Sequence, residues 1–154
     1  MEDAFESEFS LVAINSSLAD YKIAFLLNKY LGLRLKRNPK DIDFTTDGYD
    51  ALFPLFNFDD FKNDRKFYLV GNSCRSNIHG ATSTVGLFAG QEEEKIKILN
   101  LLPELKKADY LLKLDADLPM SDAVISQINA IPQIAMAYNV DTSQLKSKKN
   151  LIFE

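Results

Sequence analysis

Two aspartates one residue apart, Asp115-Ala116-Asp117, follow the mostly apolar run Tyr110-Leu111-Leu112-Lys113-Leu114. Carboxylates at i and i+2 after a buried strand can hold a hard divalent cation. No glycine-rich phosphate loop precedes them, so strand termination and helix capping is the simpler reading. A second set is Cys74, Arg75 and His79. A thiol needs a neighbouring base or cation before it can act as a nucleophile, and both stand close by in sequence. A third group to orient the imidazole is missing from this stretch. Arg34, Lys36, Arg37 and Lys40 form a basic cluster, for which Phe44, Tyr49 and Tyr68 are candidate stacking partners. Cations interleaved with rings suit single-stranded RNA. A formal net charge of -4 opposes strong phosphate-driven binding.

The densest aromatic stretch offers a fourth possibility. On a strand Phe56 and Phe58 share one face while Phe53 takes the other, so Phe53, Phe56, Phe58 and Phe61 cannot all point inward. The expectation is that some of this apolar surface is exposed and covers a partner or a dimer mate, with burial under the C-terminal tail as the alternative. None of the four sets unites nucleophile, base and stabiliser. The sequence therefore reads as a non-enzymatic interaction or regulatory protein, a homodimer or a subunit docked on a larger protein, with no cofactor and no metal. A small-molecule-sensing domain of ferredoxin-like type is the alternative, and an RNA-associated factor comes next.

These residues need elements to position them. Phe9–Ile14 reads as a short apolar strand. Residues 18–31 follow as a helix with Ser17 as N-cap, Gly32 as left-handed C-cap, and Leu18, Tyr21, Phe25, Leu26 and Leu27 as a core-facing stripe. Leu33-Arg34-Leu35-Lys36 alternates with period two, a strand with one basic, solvated face. Two further strands are expected near 49–56 and 66–72, turning at Asp59-Asp60 and Asn63-Asp64, with Pro54 at an edge or bulge. Residues 71–83 read as a polar loop, and 84–89 as a short returning strand.

The last third reads as a short helix over 98–107 with Pro103 in its first turn, then a strand over 108–114. Ser121 or Pro119 opens a second helix through Ala130, with Ala123, Val124, Ile128 and Ile131 buried, and Pro132 stops it. A strand over 134–140 and a tail over 142–154, with Leu151-Ile152-Phe153 docking, complete the chain. The fold class is α+β: a largely antiparallel or mixed sheet with helices packed on one face, its first and last strand–helix–strand units being halves of a ferredoxin-like arrangement.

Leu102-Pro103-Glu104-Leu105-Lys106-Lys107-Ala108-Asp109-Tyr110 resembles the signature of the IPExxxVDY family of small bacterial proteins of Bacteroidetes type. Pro103, Glu104, Asp109 and Tyr110 match letter for letter, while Leu102 and Ala108 replace one apolar residue with another. The resemblance extends to Leu18–Tyr21, Ile131-Pro132, Tyr138–Asp141 and Leu145–Lys148. It implies a bacterial cytoplasmic protein and brings no catalytic residue or cofactor with it. From the residues alone the motif is structural. Pro103 pre-sets a helix start and Glu104 faces its positive end, while Asp109 satisfies loose backbone N–H groups and Tyr110 buries its ring and leaves its hydroxyl in water.

The remaining arithmetic sets bounds. A chain of 154 residues with 46% apolar and 26% charged side chains is of a size and composition for one self-sufficient core. One cysteine and one histidine exclude an intrachain disulfide framework and a His/Cys metal cluster. No apolar run is long enough to span a bilayer, and residues 1–8 form an acidic lead rather than a secretory signal.

Overall fold

The computed structural model describes residues 9–46, 48–78, 97–116 and 119–153. Among them lie β1 (Phe9–Asn15), α1 (Asp20–Leu31), β2 (Lys36–Arg37), β3 (Ile42–Thr46), β4 (Tyr49–Phe53) and β5 (Leu55–Asp60). Then come β6 (Arg65–Gly71), β7 (Ser73–Ile78), β8 (Lys97–Asn100), β9 (Tyr110–Asp115), α2 (Asp122–Asn129) and β10 (Met136–Val140). A six-stranded antiparallel sheet runs β10-β1-β9-β6-β5-β2, and a second sheet runs β3-β4-β7-β8. Within the first, β1-α1-β6 and β9-α2-β10 are two split strand–helix–strand units in the order β10-β1-β9-β6, the order of a ferredoxin-like sheet. The protein is thus an α+β fold.

Period-two alternation sorts the side chains into two cores. Val12, Ile14, Phe67, Leu69, Leu112 and Leu114 point toward Ile23 and Leu27 of α1 and Ile128 of α2. Leu11, Ala13, Val70 and Leu111 point the other way, toward Phe53 of β4 and Leu99 of β8. The first sheet therefore carries helices on one face and the second sheet on the other. β9 is buried on both, which explains its nearly unbroken apolar run.

The two sheets are joined by one bent ribbon. β4 pairs with β7 in the second sheet, and β5 pairs with β6 in the first, Leu55 opposite Val70. The bends fall at Pro54 and Asn72. Pro54 has no N–H to give a ladder, so it sits in the break between β4 and β5 rather than at an edge or bulge.

Each helix also carries an asparagine that reads the backbone beyond it. Asn28 Oδ1 accepts from Leu35 N–H at 2.8 Å and its Nδ2 donates to Leu35 C=O at 3.0 Å. Asn129 does the same for Ala137, at 2.8 Å in both directions. Ala137 lies in β10, an end strand of the sheet, and the amide satisfies groups that a further strand would otherwise pair with.

Several local expectations are corrected. α1 is capped at Ala19 without a side-chain bond, and Ser16 rather than Ser17 accepts from Leu18 N–H, although Gly32 does take the left-handed conformation. Its buried residues are Ile23, Ala24, Leu26 and Leu27, whereas Tyr21 is 61% and Phe25 63% exposed. The helix is apolar nearly all round, and both Tyr21/Phe25 and Ile23/Leu27 make an i, i+4 pair, so spacing alone did not fix its phase. The alternation at 33–36 is real, with Leu33 and Leu35 buried, but the strand is only Lys36–Arg37. β3 is a strand beyond those expected. Residues 73–78 form β7 rather than loop, and 97–100 form β8 where a helix was expected. Of that helix, only the single 3-10 turn Pro103–Leu105 forms. Ser121 caps α2 through Val124 N–H, but Ala123 faces solvent. The expected strand at 84–89 and the acidic lead at 1–8 lie outside the described residues.

Substitution should separate the two faces of α1. Leu27→Ala is expected to cost about 2–5 kcal/mol, and Tyr21→Ala or Phe25→Ala about 0.5 kcal/mol or less. Urea unfolding of the three variants measures the difference; comparable losses would mean that the helix packs through its other face.

Candidate functional site

The Pro103–Tyr110 motif is wrapped around one buried side chain that sequence reasoning missed. Asn72 is fully buried at the bend between β6 and β7. Its Oδ1 accepts from Leu102 N–H at 2.8 Å, and its Nδ2 donates to the carbonyls of Leu105 and Ala108 at 2.8 and 3.3 Å. Its backbone joins in: Asn72 N–H donates to Asp109 C=O, and Asn72 C=O accepts from Leu101 N–H. Five backbone groups of the loop from Leu101 to Asp109 thus bond to one residue, because the loop has no ladder of its own.

The four motif residues then tie this loop outward. Pro103 opens the 3-10 turn, where its missing N–H costs nothing. Glu104 does not serve that turn as a dipole partner alone: its Oε2 accepts from Lys146 N–H at 2.5 Å and Ser147 N–H at 2.7 Å. Partial burial pushes its carboxyl up, but bonds from the backbone of Glu104, Ser147 and Lys146 outweigh this and hold it below the usual range. Asp109 Oδ2 accepts from Ser16 N–H at 2.9 Å, and its own N–H donates to Ile14 C=O. The Tyr110 hydroxyl donates to Leu18 C=O at 2.5 Å, at the approach to α1. Burial, and after it the charges of Asp20 and Asp109, push this phenol up to about 12. The motif joins β1, the start of α1, the β6–β7 bend and the C-terminal segment, all by backbone recognition.

A second unforeseen residue is Lys113, which lies in the doubly buried β9. Its Nζ stands 5.0 Å from the Phe9 ring, 5.3 Å from Tyr68 and 5.2 Å from Phe153, and donates to Leu151 C=O at 2.8 Å. Burial lowers its pKa, and Asp115 opposes that at 3.4 Å. In sequence it looked like one charge interrupting an apolar strand, and only the rings brought together by folding make it intelligible.

The chemical sets are dispersed. Asp115 faces Lys113, Asp117 lies outside the described residues, and no group of three metal-ligating side chains occurs among those described. Cys74 is half-buried on β7 with its Sγ 3.3 Å from Leu52 C=O. Burial pushes its thiol up, against the needs of a nucleophile. His79 also lies outside the described residues.

The phenylalanine set requires correction. Phe53, on β4, is fully buried between the two sheets with Phe44 edge-on to it, and Phe56 is buried beneath the helices. Pro54 lies between them and sends the two rings into different cores, so the four residues do not share a surface. Phe58 is half-buried and stacked on Phe67, and only Phe61 is open, at 84% exposure in the turn between β5 and β6. The structure does unite Phe58 and Phe61 with part of the basic cluster: together with Arg34, Lys36, Asn57 and Asp59 they line one concavity of about 420 Å³. Arg37 is engaged by Asp41 at 2.6 Å, while Arg34 and Lys36 make no ion pair among the described residues.

Compared with protein-family models and with curated proteins, the chain matches none. No helix among the described residues is long and apolar enough to cross a membrane.

Asn72→Ala should strand the Leu102 N–H and two carbonyls and cost about 3 kcal/mol, read from the urea midpoint. Tyr110→Phe should cost about 1 kcal/mol at neutral pH through the lost bond to Leu18. The native state favours the neutral phenol, so its contribution is complete below pH 10 and lost as pH rises toward about 12. Midpoints across that window should fall less steeply in Tyr110→Phe than in the wild type. An unchanged slope would contradict this placement of the hydroxyl.

Proposed function

We propose that the protein is a non-enzymatic interaction module that docks an acidic segment of a protein partner at the β2 edge of its six-stranded sheet. The observation that carries this reading is Phe61, a large apolar side chain 84% exposed on a concavity whose two cations, Arg34 and Lys36, have no ion-pair partner among the described residues. A ring so open gains by being covered, and interface energy concentrates in a few desolvated aromatic anchors. Unneutralised cations beside it steer a negatively charged partner and reject a basic one. The reading extends to membership of the IPExxxVDY family and to a bacterial cytoplasmic setting, on the strength of the Pro103–Tyr110 motif.

The RNA-associated alternative uses the same cations and predicts a different dependence. The test is affinity capture from host extract with and without nuclease treatment, with light scattering on the eluted complex. The wild type is expected to hold one protein in stoichiometric amount. Phe61→Glu should lose it, a penalty of about 2 kcal/mol or more. Arg34→Glu with Lys36→Glu should weaken it mainly through slower association and a flatter salt dependence. Retention by Phe61→Glu, absence of a stoichiometric protein, or capture that nuclease abolishes would overturn the reading, the last in favour of RNA.

A further inference from the structure

The described residues after β10, 141–153, contribute no strand to either sheet. This segment is fastened at points: Leu145 and Leu151 are buried in the second core, Asn150 Nδ2 donates to Leu101 C=O at 2.8 Å, and Glu104 takes the N–H groups of Lys146 and Ser147. Its end closes over Lys113. Leu151 supplies the carbonyl that the ammonium bonds, and the Phe153 ring lies 5.2 Å from Nζ and 5.2 Å from the Tyr68 ring. Between these anchors Lys146, Lys149 and Ile152 face solvent.

Two features of this contact differ from core packing. First, the centre of the contact is an ammonium, which costs desolvation that an apolar side chain of similar volume would avoid. What the cation adds is directional: it recognises a main-chain carbonyl while two rings of the body, Phe9 and Tyr68, hold it in place. Second, the N–H pair of Lys146 and Ser147 is satisfied by a side chain, not a ladder, so release breaks a handful of contacts and leaves both sheets paired. A fixed carboxylate for two N–H groups, an apolar hole, a cation for a carbonyl and a ring for a ring together make a reader of a short peptide that folds into a 3-10 turn, as Lys148–Leu151 does here.

We propose that the surface around Lys113 is a peptide-binding socket, occupied in cis by the chain's own residues 146–153 acting as a detachable strap. Its ligand class is a peptide presenting two adjacent free N–H groups to Glu104. A leucine-like residue then offers its carbonyl to Lys113, and an aromatic residue follows two positions later. The strap competes at the high effective concentration of a tethered segment, so a peptide in trans enters only when the strap is weakened.

The experiment follows acylation of lysines in the full chain by N-hydroxysuccinimidyl acetate, located by peptide mass mapping. In the wild type Lys113 is expected to react about tenfold or more slowly than the exposed Lys22. Leu151→Ala with Phe153→Ala, and separately the milder Glu104→Ala, should bring Lys113 close to the rate of Lys22 while circular dichroism of the sheets is retained. A synthetic peptide of residues 142–154, added at millimolar concentration, should restore protection to the Leu151→Ala/Phe153→Ala chain. The same peptide with alanine for its phenylalanine should not. Four results would overturn the proposal: fast labelling of Lys113 in the wild type, continued protection in both variants, loss of the sheet signal in both, or exposure that the peptide fails to reverse.

Discussion

One primary amide, the side chain of Asn72, carries the corner through which the two sheets are joined. The loop from Leu101 to Asp109 must leave the second sheet and enter β9 of the first without a strand neighbour of its own. Buried backbone groups in such a passage need partners, and Asn72 supplies an acceptor to Leu102 N–H and a donor to the carbonyls of Leu105 and Ala108. Other features of the motif depend on this placement. With the loop held against the β6–β7 bend, Glu104 reaches the C-terminal segment and Asp109 reaches Ser16, while Tyr110, placed by the β9 ladder that follows, reaches Leu18.

This arrangement makes Pro103, Glu104, Asp109 and Tyr110 a clasp, in keeping with the structural reading of the motif. The hydrogen bonds that define their roles run to the main chain. Asp109 and Tyr110 fix the exit of β1 and the approach to α1, and Glu104 fixes a segment more than forty residues later in sequence. The charged and aromatic groups outside the clasp lie elsewhere, Phe61 exposed and Lys113 buried. Phe61 with Arg34 and Lys36 stands at one edge of the first sheet, and the Lys113 surface lies on the opposite face from the helices.

Much of the frame was legible in the sequence because it rests on periodicity. The 110–114 run, the Gly32 stop, the Ser121 cap and the two strand–helix–strand units are local signals, and they place the helices on one face of an antiparallel sheet. The phase of α1 was not legible, since Tyr21/Phe25 and Ile23/Leu27 offer the same spacing and only packing against β6 and α2 chooses between them. β7 escaped because Ser73-Cys74-Arg75-Ser76-Asn77 has little apolar alternation; its strand state comes from pairing with β4 and β8. The candidate site was legible in its parts and wrong in its grouping. Pro54 divides Phe53 from Phe56, whereas the turn that ends β5 brings Phe61 to Arg34 and Lys36. Asn72 and Lys113 carry no sequence signal of burial, because an asparagine after a strand reads as loop and a lysine reads as surface.

The central claim, that a buried amide holds the motif loop as part of the global fold, is tested most directly by native-state hydrogen exchange at Leu102. Its N–H, bonded to Asn72 Oδ1, is expected to exchange only through global unfolding, with the same opening free energy as the Leu112 N–H in β9. Exchange of Leu102 through a local opening well below that of Leu112 would show the loop to be a separately mobile segment, and would contradict the clasp.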